Sequence, residues 1–261
     1  MSVPDATEAG LRRLSDPAGP GAVSVVCFPH AGGTAGFFRP WARLVPDGAV
    51  LHAVQYPGRQ DRIAQPPARD MDELVRPLAE ALSPAAGPDL VLFGHSMGAA
   101  VAYEVARVLE ARGGRALGCL AVSGRPSPRV QRDSAVSDGG EAAVLEDVRR
   151  LGGTDPALFG DERLRALVLP SLRADYGLIE GYRFRPGPPL ATPVLAVRGT
   201  EDPEVTAEEA RDWASVTHGE FRSAEFPGGH FYLLDQPGPV VGALLAQVGL
   251  APADDPWPST P

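Results

Sequence analysis

Five residues, Gly94-His95-Ser96-Met97-Gly98, could turn an ordinary serine hydroxyl into a nucleophile. They lie between DLVLFG (89–94), a short apolar run that reads as a buried strand, and GHSMGAAVAYEVARVLEARGG, which reads as a helix. In that second stretch Ala99, Ala102, Val105, Ala106 and Leu109 recur at helical spacing, and glycines follow its end. A G-x-S-x-G pattern between strand and helix is the setting of a nucleophile elbow. The glycines are needed because the serine occupies a strained backbone conformation beside neighbours that have no room for side chains. The hydroxyl then projects above the sheet, and the helix start supplies N–H groups and positive dipole. The bland alternative is a βα turn with a capping serine.

A serine nucleophile needs a base, and the base needs an acid to orient it. The chain has five histidines: His30, His52, His95, His218 and His230. His95 is too close to Ser96 in sequence to approach it correctly and is expected to support the turn. His52 lies in a strand pattern, as a core histidine would. His218 follows a helix, where an exposed position is expected. His230 follows Pro227-Gly228-Gly229 in a loop after a strand, where open α/β sheets bind ligands. His230 is the expected base.

The acid is expected between serine and histidine, at another strand end. TPVLAVRGTEDPEV offers Glu201, Asp202 and Glu204. Asp202 is preferred because Pro203 stiffens its loop; Glu201 competes, and Glu204 reads as a helix-start carboxylate. The resulting chain order, Ser96, Asp202, His230, is that of α/β-hydrolases and did not enter the choice of serine. His30-Ala31-Gly32-Gly33 after the strand at 23–28 supplies a turn that can offer a backbone N–H to an oxyanion. Ala31 is the expected first donor and Met97, the residue after the nucleophile, the second. A plain Gly-Gly loop is the alternative there.

These residues require a sheet to hold them. Strand patterns occur at 23–28, 49–55, 89–94, 117–124, 192–200 and 220–226. Helical patterns occur at 71–83 (through Pro77), after Ser96, at 206–216 and at 238–248, with an amphipathic stretch at 35–45. Apolar strands alternating with helices predict a mostly parallel sheet covered on both faces. Residues 1–21 read as a lead-in or edge segment. The segment 125–187 breaks the rhythm: it holds two helical patterns (141–151 and 161–181) and no clear strand. The expectation is one domain over 1–261 with a lid insertion at about 125–187.

With 261 residues the chain can bury a core without staples, and 44% hydrophobic with 22% charged residues excludes wholesale disorder. Glycine and proline are frequent but aperiodic, which excludes collagen. All 24 basic residues are arginine, so lysine nucleophiles and Schiff bases are excluded. Net charge is −9, so no broad positive field exists for nucleic acid or anionic lipid. The segment 125–187 carries ten arginines and ten acids and is neutral, so the whole excess lies elsewhere. Cys27 and Cys119 lie in apolar runs and make neither a disulfide framework nor zinc spacing; no metal and no cofactor is implied. The N-terminus lacks a signal-peptide core, and no apolar run approaches the roughly 20 residues of a membrane span. A cytoplasmic protein is expected.

With those residues in place the chain resembles the type II thioesterases, editing enzymes of polyketide and nonribosomal peptide synthesis. The matching stretches are CFPHAGG (27–33), QYPGRQDR (55–62), LFGHSMGA (92–99), LGGTDPALF (151–159), LPSLRADYGLIEGY (169–182), RGTEDPEV (198–205) and FPGGHFYL (226–233). GHSMG alone marks the hydrolase fold at large; PHAGG, QYPGR and GGHFYL together are more specific. Residues 1–21 and the tail APADDPWPSTP lie outside the resemblance. It implies an α/β-hydrolase fold, Ser96, Asp202 and His230 as triad, and Ala31 and Met97 as oxyanion hole. It further implies hydrolysis of acyl thioesters on the phosphopantetheine arms of acyl carrier or peptidyl carrier domains, clearing stalled or wrong acyl groups. The chain is also similar to medium-chain fatty acid-releasing thioesterases.

Carrier domains are typically acidic, as is this chain, so local arginines on the neutral insertion or near Arg59 and Arg62 are expected to make the contact. Three rival functions remain: a carboxylesterase on free oxygen esters, acyl transfer or cyclisation, and a silent hydrolase fold used for binding. A chain with no attached carrier domain favours hydrolysis over transfer, and a complete site argues against silence. Acyl-chain preference, pathway and oligomeric state are not legible.

Overall fold

The computed structural model describes residues 3, 7–16, 19, 21–113, 115–132, 134–152 and 160–253. The tail from residue 254 and the LGGTDPALF stretch beyond Gly152 lie outside the described residues.

Seven strands form one sheet: β1 Leu11–Arg13, β2 Val23–Phe28, β3 Ala49–Val54, β4 Leu90–His95, β5 Cys119–Ser123, β6 Val194–Gly199 and β7 Phe221–Phe226. Their spatial order is β1-β3-β2-β4-β5-β6-β7. All neighbours run parallel except β1, which pairs antiparallel with β3. Every residue of β2 to β6 is buried, as a parallel sheet with both faces covered requires. Only β1 was not expected as a strand; its LRR carries no alternation, and pairing with β3 alone makes it one.

Each face of the sheet has its own core. On one, Val26, Phe28, Leu92 and Val122 pack against α1 (Met71–Leu82) and α2 (Met97–Gly113). On the other, Val25, Cys27, Phe93 and Leu195 pack against a 3₁₀ helix at Ala35–Arg43 and against α7 (Pro237–Leu245). Both cysteines are fully buried free thiols in their strands, and burial pushes both pKa values up. The helix expected at 206–216 is α5 (Ala207–Arg211), opened by a capping box of Thr206 and Glu209, followed by a 3₁₀ turn at Asp212–Val216. A four-residue helix, α6 (Tyr232–Asp235), follows the last strand.

The segment between β5 and β6 contributes α3 (Gly140–Leu151) and α4 (Glu162–Gly181), with no named strand among the described residues. These helices share a small core of Val144, Leu145, Val148, Leu172 and Tyr176, against which Ala31 also packs. No helix among the described residues is long and apolar enough to cross a membrane.

Candidate active site

Strand β4 ends at His95 and α2 begins at Met97, which leaves Ser96 alone in the turn at φ +54°. The left-handed conformation costs a residue with a Cβ roughly 1–2 kcal/mol. Two backbone hydrogen bonds impose it here. The Ser96 N–H donates to the Ser123 carbonyl at 2.8 Å, and the Ser96 carbonyl accepts from the Ala99 N–H at 3.0 Å. The flanking glycines are required by space: a Cβ on Gly98 would lie 2.0 Å from the Phe28 carbonyl oxygen, and one on Gly94 2.2 Å from that of Gly98. Without side chains there, the N-terminus of α2 comes directly against the end of β2 and the loop that follows it.

Asp202 and His230 come from loops after β6 and β7. The two loops are tied together where the Glu201 N–H donates to the Gly228 carbonyl at 2.9 Å. Asp202 and His230 are both buried, and His230 Nδ1 lies 3.0 Å from each oxygen of the Asp202 carboxylate. The carboxylate therefore holds the proton on Nδ1 and leaves Nε2 as the accepting nitrogen. Nε2 is buried and without a hydrogen-bond partner. Asp202 Oδ1 also accepts from the Glu204 N–H at 2.9 Å, which fixes the carboxylate.

The competing acids are elsewhere. Glu201 is exposed. Glu204 opens no helix, because α5 starts behind Thr206; instead its carboxylate pairs with Arg150 at 2.6 Å. His218 is exposed and His52 is buried within β3, as expected of both.

A cavity of about 530 Å³ brings Ser96, Met97, His230 and Ala31 onto one wall. Residues of 125–187 line the same cavity, among them the apolar Val136, Val148, Leu172 and Ile179 and the polar Arg125 and Glu180. Met97 is the first residue of α2, so its N–H has no partner within the helix. Ala31 sits in a tight turn closed by the Gly33 N–H donating to the His30 carbonyl at 2.9 Å. The cavity could thus hold an acyl group with its carbonyl between the serine and two N–H donors.

Three further side chains support this site: His95, as expected from the sequence, and His30 and Asp175, which escape it. His30 stands in the cavity wall, its ring edge-on to Phe37 at 4.7 Å and Phe231 at 4.8 Å. Burial, with His230 and Arg59 adding repulsion, lowers its pKa to about 3, so it is neutral. His95 supports the turn through a chain: Nδ1 lies 2.9 Å from Ser123 Oγ, which lies 2.8 Å from Tyr232 Oη. Its ring is 4.9 Å from that of His230, and burial holds its pKa well below the usual imidazole value. The third is Asp175 of α4, whose carboxylate accepts from the Gly32 N–H at 2.7 Å. All three occur in motifs noted for their pattern, but their contacts arise only in the folded chain.

Arg59 corrects the sequence reading. Rather than offering charge to a partner, it is buried and bound bidentate to Asp175, at 2.6 and 2.8 Å. Arg62 also turns inward: it donates to the Gln55 carbonyl at 2.7 Å and to Gln65 at 2.9 Å.

The thioesterase-domain family model matches residues 24–248. The chain is 42% identical over 227 residues to the thioesterase PikA5 of Streptomyces venezuelae, covering 87% of this chain and 80% of that protein. It is 40% identical over 233 residues to a protein of Streptomyces griseus described as a probable cadicidin biosynthesis thioesterase, covering 89% of this chain and 64% of the relative. Among solved structures, the type II thioesterase BorB from the borrelidin biosynthetic cluster superposes with a TM-score of 0.80 at 40% identity, covering 94% of this chain and 98% of BorB. With the family model running from β2 past β7 and taking in the turn at Ser96, the chain is a thioesterase of the α/β-hydrolase fold and belongs to the thioesterase-domain family.

Proposed function

We propose that the protein hydrolyses acyl thioesters carried on the phosphopantetheine arms of acyl carrier or peptidyl carrier domains, with Ser96, His230 and Asp202 as its triad. The observation that carries this reading is the buried His230–Asp202 pair, at 3.0 Å to both oxygens, in the cavity that Ser96 lines. The names of the relatives, a probable cadicidin biosynthesis thioesterase and a type II thioesterase of the borrelidin biosynthetic cluster among them, support the carrier-bound substrate.

Ser96 Oγ attacks the thioester carbonyl while His230 Nε2 takes its proton. The oxyanion is held by the N–H groups of Ala31 and Met97, preorganised in the turn after β2 and at the start of α2. Collapse of the intermediate breaks the C–S bond, and His230 returns the proton to the leaving sulfur. A thiol with an ordinary pKa of about 8.5 is a good leaving group at that step. Water then enters, His230 takes its proton, and the acyl–Ser96 ester is cleaved to the free acid. Burial lowers the pKa of both His30 and His95, so neither neighbouring imidazole carries a positive charge beside His230. The segment 125–187 acts as a lid that walls the acyl group from water.

The test compares the wild type with Ser96→Ala on acyl-pantetheine and carrier-bound acyl substrates, with p-nitrophenyl esters alongside. Thioester hydrolysis that disappears with Ser96 supports the proposal. Turnover confined to oxygen esters points to a carboxylesterase, and no turnover by folded protein removes the triad.

A further inference from the structure

The turn that holds Ala31 is pinned from two separate parts of the chain. From the QYPGR stretch, Gln55 Oε1 accepts from the Ala35 N–H at 3.1 Å and Tyr56 Oη donates to the Pro29 carbonyl at 3.2 Å. Arg59 Nη1 of the same stretch donates to the Gly33 carbonyl at 3.3 Å. From α4, within the insertion, Asp175 Oδ2 accepts from the Gly32 N–H. Arg59 and Asp175 then bind one another, so the Gly32 N–H and the Gly33 carbonyl are each held by one half of the same ion pair. Asp175 is 3% exposed and Arg59 6%, so water does not compete for these bonds. Gly32 itself has φ +76° and an ideal Cβ there would meet Leu172 of α4 at 2.6 Å, so the helix sits directly on the turn.

We propose that Asp175 and Arg59 are positioning residues that aim the Ala31 N–H into the site, and that the insertion completes the oxyanion hole when it is seated. The inference rests on the oxyanion reading given above. Gly32 is the residue after the donor. A carboxylate holding the Gly32 N–H fixes the rotation of the peptide on one side of Ala31, and the turn bond from Gly33 to His30 fixes the other. Loss of Asp175 frees the Gly32 N–H and leaves Arg59 without its counter-charge beside the Gly33 carbonyl. The Ala31–Gly32 peptide then turns freely, the turn closed by the Gly33-to-His30 bond loosens with it, and the Ala31 N–H samples orientations that miss the oxyanion, while the apolar wall that receives the acyl chain stays in place. A donor misaligned at the transition state lowers kcat and spares ground-state binding.

Two variants test this on an acyl-N-acetylcysteamine thioester, which needs no carrier. Asp175→Asn keeps an oxygen for the Gly32 N–H but loses the charge pair. The double variant Arg59→Met/Asp175→Leu removes both charges and refills the space. The double variant is expected to fold, lose kcat by about 10²-fold, as for one oxyanion donor, and keep KM within about twofold. Asp175→Asn is expected to lose less, a partial rescue by the remaining acceptor. The rate at which a fluorophosphonate labels Ser96 should fall in parallel, since that adduct also needs the oxyanion hole. Folded double variant with kcat within about threefold of wild type overturns the proposal, as does a loss confined to KM. Failure of both variants to fold also overturns it, in favour of a scaffold role. Full turnover by Ser96→Ala in the same assay would instead remove the serine mechanism on which the inference stands.

Discussion

At the scale of single residues the site holds groups in states they would not choose in water. Ser96 keeps a left-handed backbone, so Ser96→Gly relieves roughly 1–2 kcal/mol of strain and gives back about 0.5–1 through the freer unfolded chain. The expected result in urea unfolding is a protein slightly more stable than wild type and without thioesterase activity. Asp202→Asn keeps the shape of the pair but releases His230 from its tautomer, and kcat should fall about 10⁴-fold with the fold intact. His30 sets a pH dependence of stability. Its folded pKa of about 3 lies below the ordinary 6.5, so between those values the unfolded chain binds a proton that the folded protein refuses. Stability therefore falls as pH drops through that window, by up to about 1.4 kcal/mol per pH unit for this one group. Urea midpoints at pH 7, 6 and 5 should show the slope, and His30→Gln should reduce it, leaving the share that the buried His95 contributes in the same direction. Ser96, Asp202 and His230 were legible because the motif, the strand ends and the chain order each constrain them. Asp175 was not: a lone aspartate in a helical pattern gives no sign that it reaches a turn 143 residues away.

At the scale of elements, packing without side chains decides where α2 begins. Gly98→Ala places a methyl within 2.0 Å of the Phe28 carbonyl oxygen, a backbone atom that cannot swing aside. The helix must retreat from β2, and with it the Met97 N–H. A loss of about 1–3 kcal/mol or more is expected in chemical denaturation, together with a fall in kcat larger than the change in KM. The central strands were readable because residues buried on both faces give continuous apolar runs, as in VSVVCF and CLAVS. The short elements were not. LRR becomes a strand only through β3, and α6 has four residues, too few for a helical period to show. The helix expected over 206–216 divides at Asp212 because its second half winds more tightly, which hydrophobic spacing does not reveal.

At the scale of the whole molecule, the acidic excess and the neutral insertion divide the surface. With Arg59 and Arg62 turned inward, the exposed cations of α4, Arg163 and Arg173, on the same helix as the exposed Leu164, Leu167 and Val168, are the better candidates for an acidic carrier. Arg163→Glu/Arg173→Glu should raise KM for carrier-bound substrate several-fold and leave small thioesters unaffected; equal losses on both would discard that surface. The sheet has a consequence in time as well as in space. Leu120 of β5 pairs with Val194 of β6 across the whole insertion, and the loops holding Asp202 and His230 follow only from there. Closing so long a loop is entropically slow, while α1 and α2 form from local contacts. During refolding from urea, far-UV circular dichroism should therefore recover early and enzymatic turnover late, and the interval between them would measure how long the chain exists as a helical, half-paired sheet with Ser96 in its turn and the Asp202–His230 pair not yet beside it.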